Sequence, residues 1–144
     1  MLIYLDASCL VRAVMRDGPA LEEWATWDGA YTSRLAIVEV SRTLHRFRLE
    51  GKLLHDGFAA AEANVALIFA GMERVPISDS IIAMAAEPMA THIKALDALH
   101  LATARMVRTG FREELTFATH DRQLGAAAAS FGFTVSGVEG RPTR

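Results

Sequence analysis

The chain has 144 residues, 51% apolar and 22% charged, with a net charge of −2. That length suits a single domain with a buried core, and that balance excludes a disordered chain. The lone cysteine, Cys9, excludes an internal disulfide, and there is neither an apolar stretch of about 18 residues nor a basic-then-apolar leader; a cytoplasmic location is expected.

In chain order, Leu2-Ile3-Tyr4-Leu5 is an apolar run of strand type closed by Asp6. Ser8 to about Met15 reads as a short helix on which Cys9 packs as a small apolar residue. Gly18-Pro19 breaks it, and Pro19 suits the first turn of a second helix ending near Trp27. Tyr31-Thr32 reads as a short strand, and Ser33 as the cap of a long helix with Ile37, Val40, Leu44 and Phe47 in one buried stripe. Glu39 lies off that stripe on the face shared by Arg42 and Arg46, and Gly51 stops the helix. A further helix spans His55 to Ala70 with Phe58, Ala61, Val65, Ile68 and Met72 on one side. Glu73 to Ile77 reads as a strand, and Ser78 caps a helix up to about Glu87, where Pro88 interrupts. Ala95 to Arg108 is helical with Leu96, Leu99, Thr103 and Met106 aligned, and Gly110 closes it. A strand over 115–119, a helix from Arg122 to Ser130 and a strand around Phe133-Thr134-Val135 complete the order. Alternating strands and helices predict an α/β fold, a central parallel sheet flanked by helices on both faces.

Asp6 and Asp121 follow the first strand and the strand over 115–119, the position at which open parallel sheets gather function. Glu39 and Asp97 lie within helical patterns. Each acid has a plain structural reading. Asp6, Asp97 and Asp121 suit helix N-caps, although Cys9, His100 and Leu124 stand where a capping box needs Glu or Gln. Glu39 suits a surface pairing with Arg42, worth a few tenths of a kcal/mol. Gathered in one pocket, the four would raise one another's pKa and call for a cation. The occupant that suits oxygen ligands is a hard divalent metal, and its usual work is on phosphate. A mixed set with His92, His100 and His120 is the zinc alternative, less favoured because His92 and His100 straddle a helix start. His100, one turn from Asp97, suits a donor to it. A haloacid dehalogenase phosphatase would carry two Asp flanking one residue after the first strand, where Ala7-Ser8 follow Asp6 instead. No Gly-rich phosphate loop is present.

The net charge does not forbid a nucleic-acid partner. With four carboxylates committed to a metal, the remaining surface is net positive. Arg34, Arg42, Arg46, Arg48 and Lys52 crowd a span holding only Glu39 and Glu50. Thirteen of the 15 basic residues are Arg, which forks onto phosphate oxygens. Arg34, Arg42 and Arg46 are therefore candidate RNA contacts, and the same residues equally suit a solvated helix face.

Four segments occur in a fixed order: Tyr4-Leu5-Asp6-Ala7-Ser8-Cys9-Leu10-Val11, Ile37-Val38-Glu39-Val40, Lys94-Ala95-Leu96-Asp97-Ala98-Leu99-His100-Leu101-Ala102-Thr103-Ala104 and Thr119-His120-Asp121-Arg122-Gln123-Leu124. Together they resemble the PIN domains, and among them the VapC-like ribonuclease toxins of bacterial toxin–antitoxin systems. The third segment is the most specific. The resemblance implies one PIN-like domain over residues 1–137 with a polar tail over 138–144. It implies an endoribonuclease dependent on Mg²⁺ or Mn²⁺, with Asp6, Glu39, Asp97 and Asp121 as its catalytic acids and Ser8 and Thr119 as supporting hydroxyls. Asp6 and Asp97 would touch the metal, and Glu39 and Asp121 would reach it directly or through water. Cleavage would leave 5′-phosphate and 3′-hydroxyl ends. Implied partners are a cognate antitoxin protein and a second copy in a homodimer, with the apolar helices at 34–49 and 55–70 as possible docking faces. The alternative is a PIN-like module that grips RNA or a protein without cutting, against which the presence of all four acids argues.

Overall fold

The computed structural model describes residues 1–15, 24 and 26–138. The chain begins with β1 (Leu2–Leu5), all of whose residues are buried. There follow α1 (Ala7–Met15), β2 (Gly29–Ser33), α2 (Leu35–Leu49), α3 (His55–Ala70), β3 (Glu73–Val75) and α4 (Asp79–Ala85). The order closes with α5 (Ala95–Thr109), β4 (Leu115–Ala118), α6 (Arg122–Ser130) and β5 (Thr134–Ser136).

The strands form one five-stranded sheet in the order β3-β2-β1-β4-β5, and every pairing is parallel. From β1 the chain steps outward to β2 and β3, then crosses to β4 and β5 on the other side. Strand order therefore reverses between β1 and β4, and open parallel sheets leave a crevice beyond the carboxyl ends at such a point. The register pairs Leu5 with Ala118. One further ladder bond, from the Asp6 N–H to the Ala118 carbonyl at 3.2 Å, carries the pairing past the strand ends. Asp6 and Thr119 thus leave the sheet side by side.

Alternation along β1 sends Ile3 and Leu5 to one face and Leu2 and Tyr4 to the other. The first face packs against α1, α2 and α3 through residues such as Leu10, Val40, Leu44 and Phe69. The second packs against α5 and α6 through Leu101, Val107, Leu124 and Ala128. Each fully buried side chain of this size contributes about 1.5–3 kcal/mol. The α/β sheet with helices on both faces is the architecture expected from the alternation of elements. Cys9 is buried on α1, and burial pushes its thiol well above the usual range, which leaves it inert.

Two helices end by the same device. Gly51 and Gly132 take left-handed φ values of 75° and 78°. The N–H groups of Gly51 and Lys52 then reach back to the carbonyls of Arg48 and Phe47, as those of Gly132 and Phe133 reach Ala129 and Ala128. These bonds satisfy carbonyls that α2 and α6 would otherwise leave open.

Several expectations need correction. β2 runs from Gly29 to Ser33, longer than Tyr31-Thr32, because pairing with β1 begins at Gly29 opposite Leu2. Ser33 ends that strand, with its Oγ accepting from the Leu35 N–H at 3.1 Å, and Arg34 holds the N-cap position of α2. β3 stops at Val75, since Pro76 has no N–H to continue the ladder. β5 is shifted by one residue because Phe133 completes the turn after α6. On α5 the buried residues are Ala98, His100, Leu101, Ala102, Thr103, Ala104 and Val107, while Leu96 is 47% exposed. Of the stripe expected through Leu96, Leu99, Thr103 and Met106, Thr103 is buried, Leu99 and Met106 are half-buried and Leu96 is exposed, because alanines let this helix pack closely over a wide face. Of the helix expected from Pro19 to Trp27, residues 19–23 and 25 lie outside the described residues, and Thr26 and Trp27 are not helical.

This placement of α5 predicts that Leu101→Ala, at a fully buried position, costs about 2–5 kcal/mol. Leu96→Ala should stay within about 0.5 kcal/mol of wild type. Urea unfolding of both variants checks the pair.

Candidate active site

Asp6 sits at the end of β1 and is buried, with both oxygens engaged. Its Oδ1 accepts from the Ser8 hydroxyl at 2.6 Å and the Cys9 N–H at 3.1 Å. Its Oδ2 accepts from the Thr119 hydroxyl at 2.7 Å. Ser8 Oγ in turn accepts from the His120 N–H at 2.9 Å, and Thr119 Oγ1 from the Asp121 N–H at 3.0 Å. The two hydroxyls therefore tie the loop after β4 to the carboxylate after β1. A carboxylate that accepts this many bonds is fixed in place.

Asp121 is exposed at the rim of this crevice, where its Oδ1 caps α6 by accepting from the Leu124 N–H at 3.0 Å. The plain cap reading and a role at the site hold together, because a carboxylate has a second oxygen. Asp6 also caps α1, through its bond from the Cys9 N–H. Asp97 is not a cap. It lies in the first turn of α5, behind Lys94 at the N-cap position.

Asp97 reports on the whole cluster. It is half-buried, and its pKa is raised above the ordinary 3.8, first by burial, then by the negative charges of Asp121, Asp6 and Glu39, with His100 opposing. Asp97 is thus within electrostatic reach of Asp121, Asp6 and Glu39. Among the described residues no group of three or more His, Cys, Asp and Glu is arranged to hold a metal ion.

Glu39 pairs with His100 and not with Arg42. Its Oε1 lies 2.5 Å from His100 Nε2, and His100 Nδ1 lies 2.8 Å from the Tyr4 hydroxyl. A carboxylate only accepts, so Nε2 carries the proton toward Glu39, while Nδ1 shares its hydrogen bond with the phenol. Burial and the charge of Asp6 push the Tyr4 pKa well above 10.0, which keeps that hydroxyl protonated. With both ring nitrogens occupied, His100 donates to Glu39 and not to Asp97. A sequence signal for this role exists: a histidine among Ala98, Leu101 and Ala102 on a buried helix face needs polar partners.

The expected cationic contacts divide. Arg34 and Arg42 are exposed at the start and middle of α2. Arg46 lines a pocket beside the cluster together with Glu39 and Ser8, and Arg12 of α1, which the sequence did not single out, lines it as well. The zinc set is not assembled. His120 Nδ1 meets the Gly137 carbonyl at 2.7 Å, and His92 lines a different cavity, near Met89 and Ile93.

The PIN domain family model matches residues 3–129, and the chain belongs to this family. It is 26% identical to the protein "Ribonuclease VapC47" of Mycobacterium tuberculosis (strain CDC 1551 / Oshkosh), a match covering 94% of this chain and 96% of that protein. Its fold is similar to that of PAE2754 from Pyrobaculum aerophilum, with TM-score 0.67, 19% identity and coverage of 94% and 83% of the two chains. It is also similar to Mycobacterium tuberculosis VapC20, a Sarcin-Ricin loop cleaving toxin, with TM-score 0.59, 18% identity and coverage of 92% and 96%. FitAcB from Neisseria gonorrhoeae matches with TM-score 0.57, 24% identity and coverage of 93% and 96%.

The raised pKa of Asp97 has a consequence for stability. An acid with a raised folded-state pKa favours folding while protonated, and that contribution is lost as pH rises from the unfolded value through the folded one. In metal-free protein at neutral pH, Asp97 is therefore a cost. Asp97→Asn should raise the Tm of metal-free protein at pH 7, and the gain should vanish under acid conditions where Asp97 is protonated. Thermal unfolding across pH in the presence of EDTA checks this.

Proposed function

We propose that the protein is a metal-dependent endoribonuclease, with Asp6, Glu39, Asp97 and Asp121 as its catalytic acids. The observation that carries the reading is the convergence of these acids on Asp97, whose anionic form is disfavoured by burial and then by the charges of the other three. The donor set suits Mg²⁺ or Mn²⁺, because all its candidate ligands are carboxylate oxygens and such ions take hard oxygen donors together with water. Asp6 and Asp97 would hold the ion, with Glu39 and Asp121 reaching it directly or through water. When bound, such a cation lowers the pKa of water and offsets charge on the scissile phosphate.

The chain's own residues then have distinct tasks. Ser8 and Thr119 fix Asp6. His100 fixes Glu39, with Tyr4 holding the imidazole from behind. Asp121, exposed at the rim, is open to take a proton from an attacking water. Hydrolysis in this sense leaves a 5′-phosphate and a 3′-hydroxyl. The similarity to Ribonuclease VapC47 and to the VapC20 toxin supports RNA as the substrate and a toxin's role for the protein. As the toxin of such a pair, the protein would take a protein antitoxin as partner and a homodimer as its assembled form. Exposed Leu49, Leu54 and Leu67 at the α2–α3 edge, and Ile82 and Leu96 on α4 and α5, offer apolar surface for such contacts. No helix among the described residues is long and apolar enough to cross a membrane; action in the cytoplasm belongs to the proposed toxin's role.

Purified protein incubated with total RNA should produce new 5′-phosphate ends. EDTA should abolish them and added Mg²⁺ or Mn²⁺ restore them. Asp97→Asn should lower the rate by at least about 100-fold while keeping the fold. Normal cleavage by this variant would overturn the assignment.

The Glu39 tether gives a second test. His100→Ala should lose about 10–100-fold in activity, and His100→Gln, which keeps an N–H donor, should recover part of it. Equal loss in both, with unfolding midpoints matched, would show that the hydrogen bond to Glu39 is not what matters.

A further inference from the structure

An open pocket of about 350 Å³ lies between α1 and α2 and borders the acidic cluster through Ser8 and Glu39. Arg12 and Arg46 stand on its walls, together with the apolar side chains of Val11 and Phe47. Neither arginine forms an ion pair with a carboxylate among the described residues. Glu50, one turn from Arg46, is claimed by Lys52 at 2.9 Å and feels Arg46 least of its neighbours.

Arg12 has a neighbour that cannot satisfy it. Its Nη1 is 3.2 Å from His120 Nδ1, but that nitrogen is 2.7 Å from the Gly137 carbonyl. A carbonyl only accepts, so the proton sits on Nδ1 and points to Gly137. The nitrogen is then unable to accept from Arg12. Two guanidinium groups with unspent donors therefore border a space next to a site proposed to act on a phosphodiester.

We infer that this pocket is a nucleotide subsite, in which Arg12 and Arg46 grip the backbone phosphate beside the scissile linkage and Phe47 offers its ring face to the base. The inference rests on the ribonuclease reading and adds the substrate class, single-stranded RNA. Three features favour it. Guanidinium forks match phosphate oxygens in pairs. A volume near the low end of small-ligand pockets, roughly 300–1,000 Å³, takes one nucleotide and not a duplex. An aromatic ring beside cations is the usual platform for an unpaired base, and the Arg46 guanidinium already lies 5.3 Å from the centroid of Phe47.

The test uses full-length Asp97→Asn protein, so that RNA is bound and not cut, with a short fluorescein-labelled single-stranded RNA read by anisotropy at several salt concentrations. Arg12→Ala and Arg46→Ala should each weaken binding about tenfold and reduce the salt slope by about 0.7. Phe47→Leu should weaken binding about tenfold with the slope unchanged. Arg12→Lys, which keeps the charge, should recover part of the loss, and the exposed Arg112→Ala, outside the pocket, should have no effect. In the otherwise wild-type protein, the arginine substitutions should raise the half-saturating RNA concentration by a larger factor than they lower cleavage at saturation.

Unchanged RNA affinity in both arginine variants, while wild-type protein cuts RNA, would overturn the subsite and leave the nuclease reading standing. That is also the outcome expected if a protein partner occupies the pocket instead. Wild-type protein that cuts no RNA, with binding still lost in the arginine variants, would support the subsite and remove the nuclease reading.

Discussion

Mutual repulsion among carboxylates, held together against their electrostatic preference at the carboxyl edge of the sheet, is the constraint on which this molecule turns. Asp97 on α5 lies within electrostatic reach of acids from β1, α2 and the loop after β4, and burial first and their charge second raise its pKa. A fold seeking only stability would separate them. Keeping them together requires β1 and β4 to be neighbours at the point where strand order reverses, which this topology supplies.

Each acid is held by a different local device, and the devices are linked. Asp6 is fixed by hydroxyls on both sides, and those hydroxyls also bind the backbone of the loop carrying Asp121. Glu39 comes from α2, on the opposite face of the sheet from α5, yet His100 of α5 reaches it around the sheet edge, braced by Tyr4 from β1. Moving any one of these elements would displace a carboxylate. The strongly packed core on both faces is what allows a repelling site to persist, in line with strained functional sites being carried by stability elsewhere.

The parts of this arrangement legible in the sequence are those with local causes. Strand runs, helix periods and the glycines at 51 and 132 mark the elements, because turn chemistry and periodicity act over a few residues. Asp6 and Asp121 were readable as strand-end acids for the same reason. What was not legible depends on tertiary placement. The buried face of α5 is set by alanines that fit against neighbours, so the larger Leu96 pointed to the wrong side. Glu39 on α2 looked like a partner for Arg42 one turn on, and only the packing of α5 brings His100 to it instead. Arg12 gave no signal, since its importance comes from standing across a pocket from Arg46, on a helix distant in sequence.

The central claim, that the four acids gather around a shared divalent cation, is tested most directly by calorimetric titration of the metal-free protein with Mn²⁺. Wild-type protein should bind saturably, and Asp6→Asn and Asp97→Asn should each weaken binding by about 10–100-fold or more. Undiminished Mn²⁺ binding in both variants, or none in a folded wild-type protein, would contradict the account.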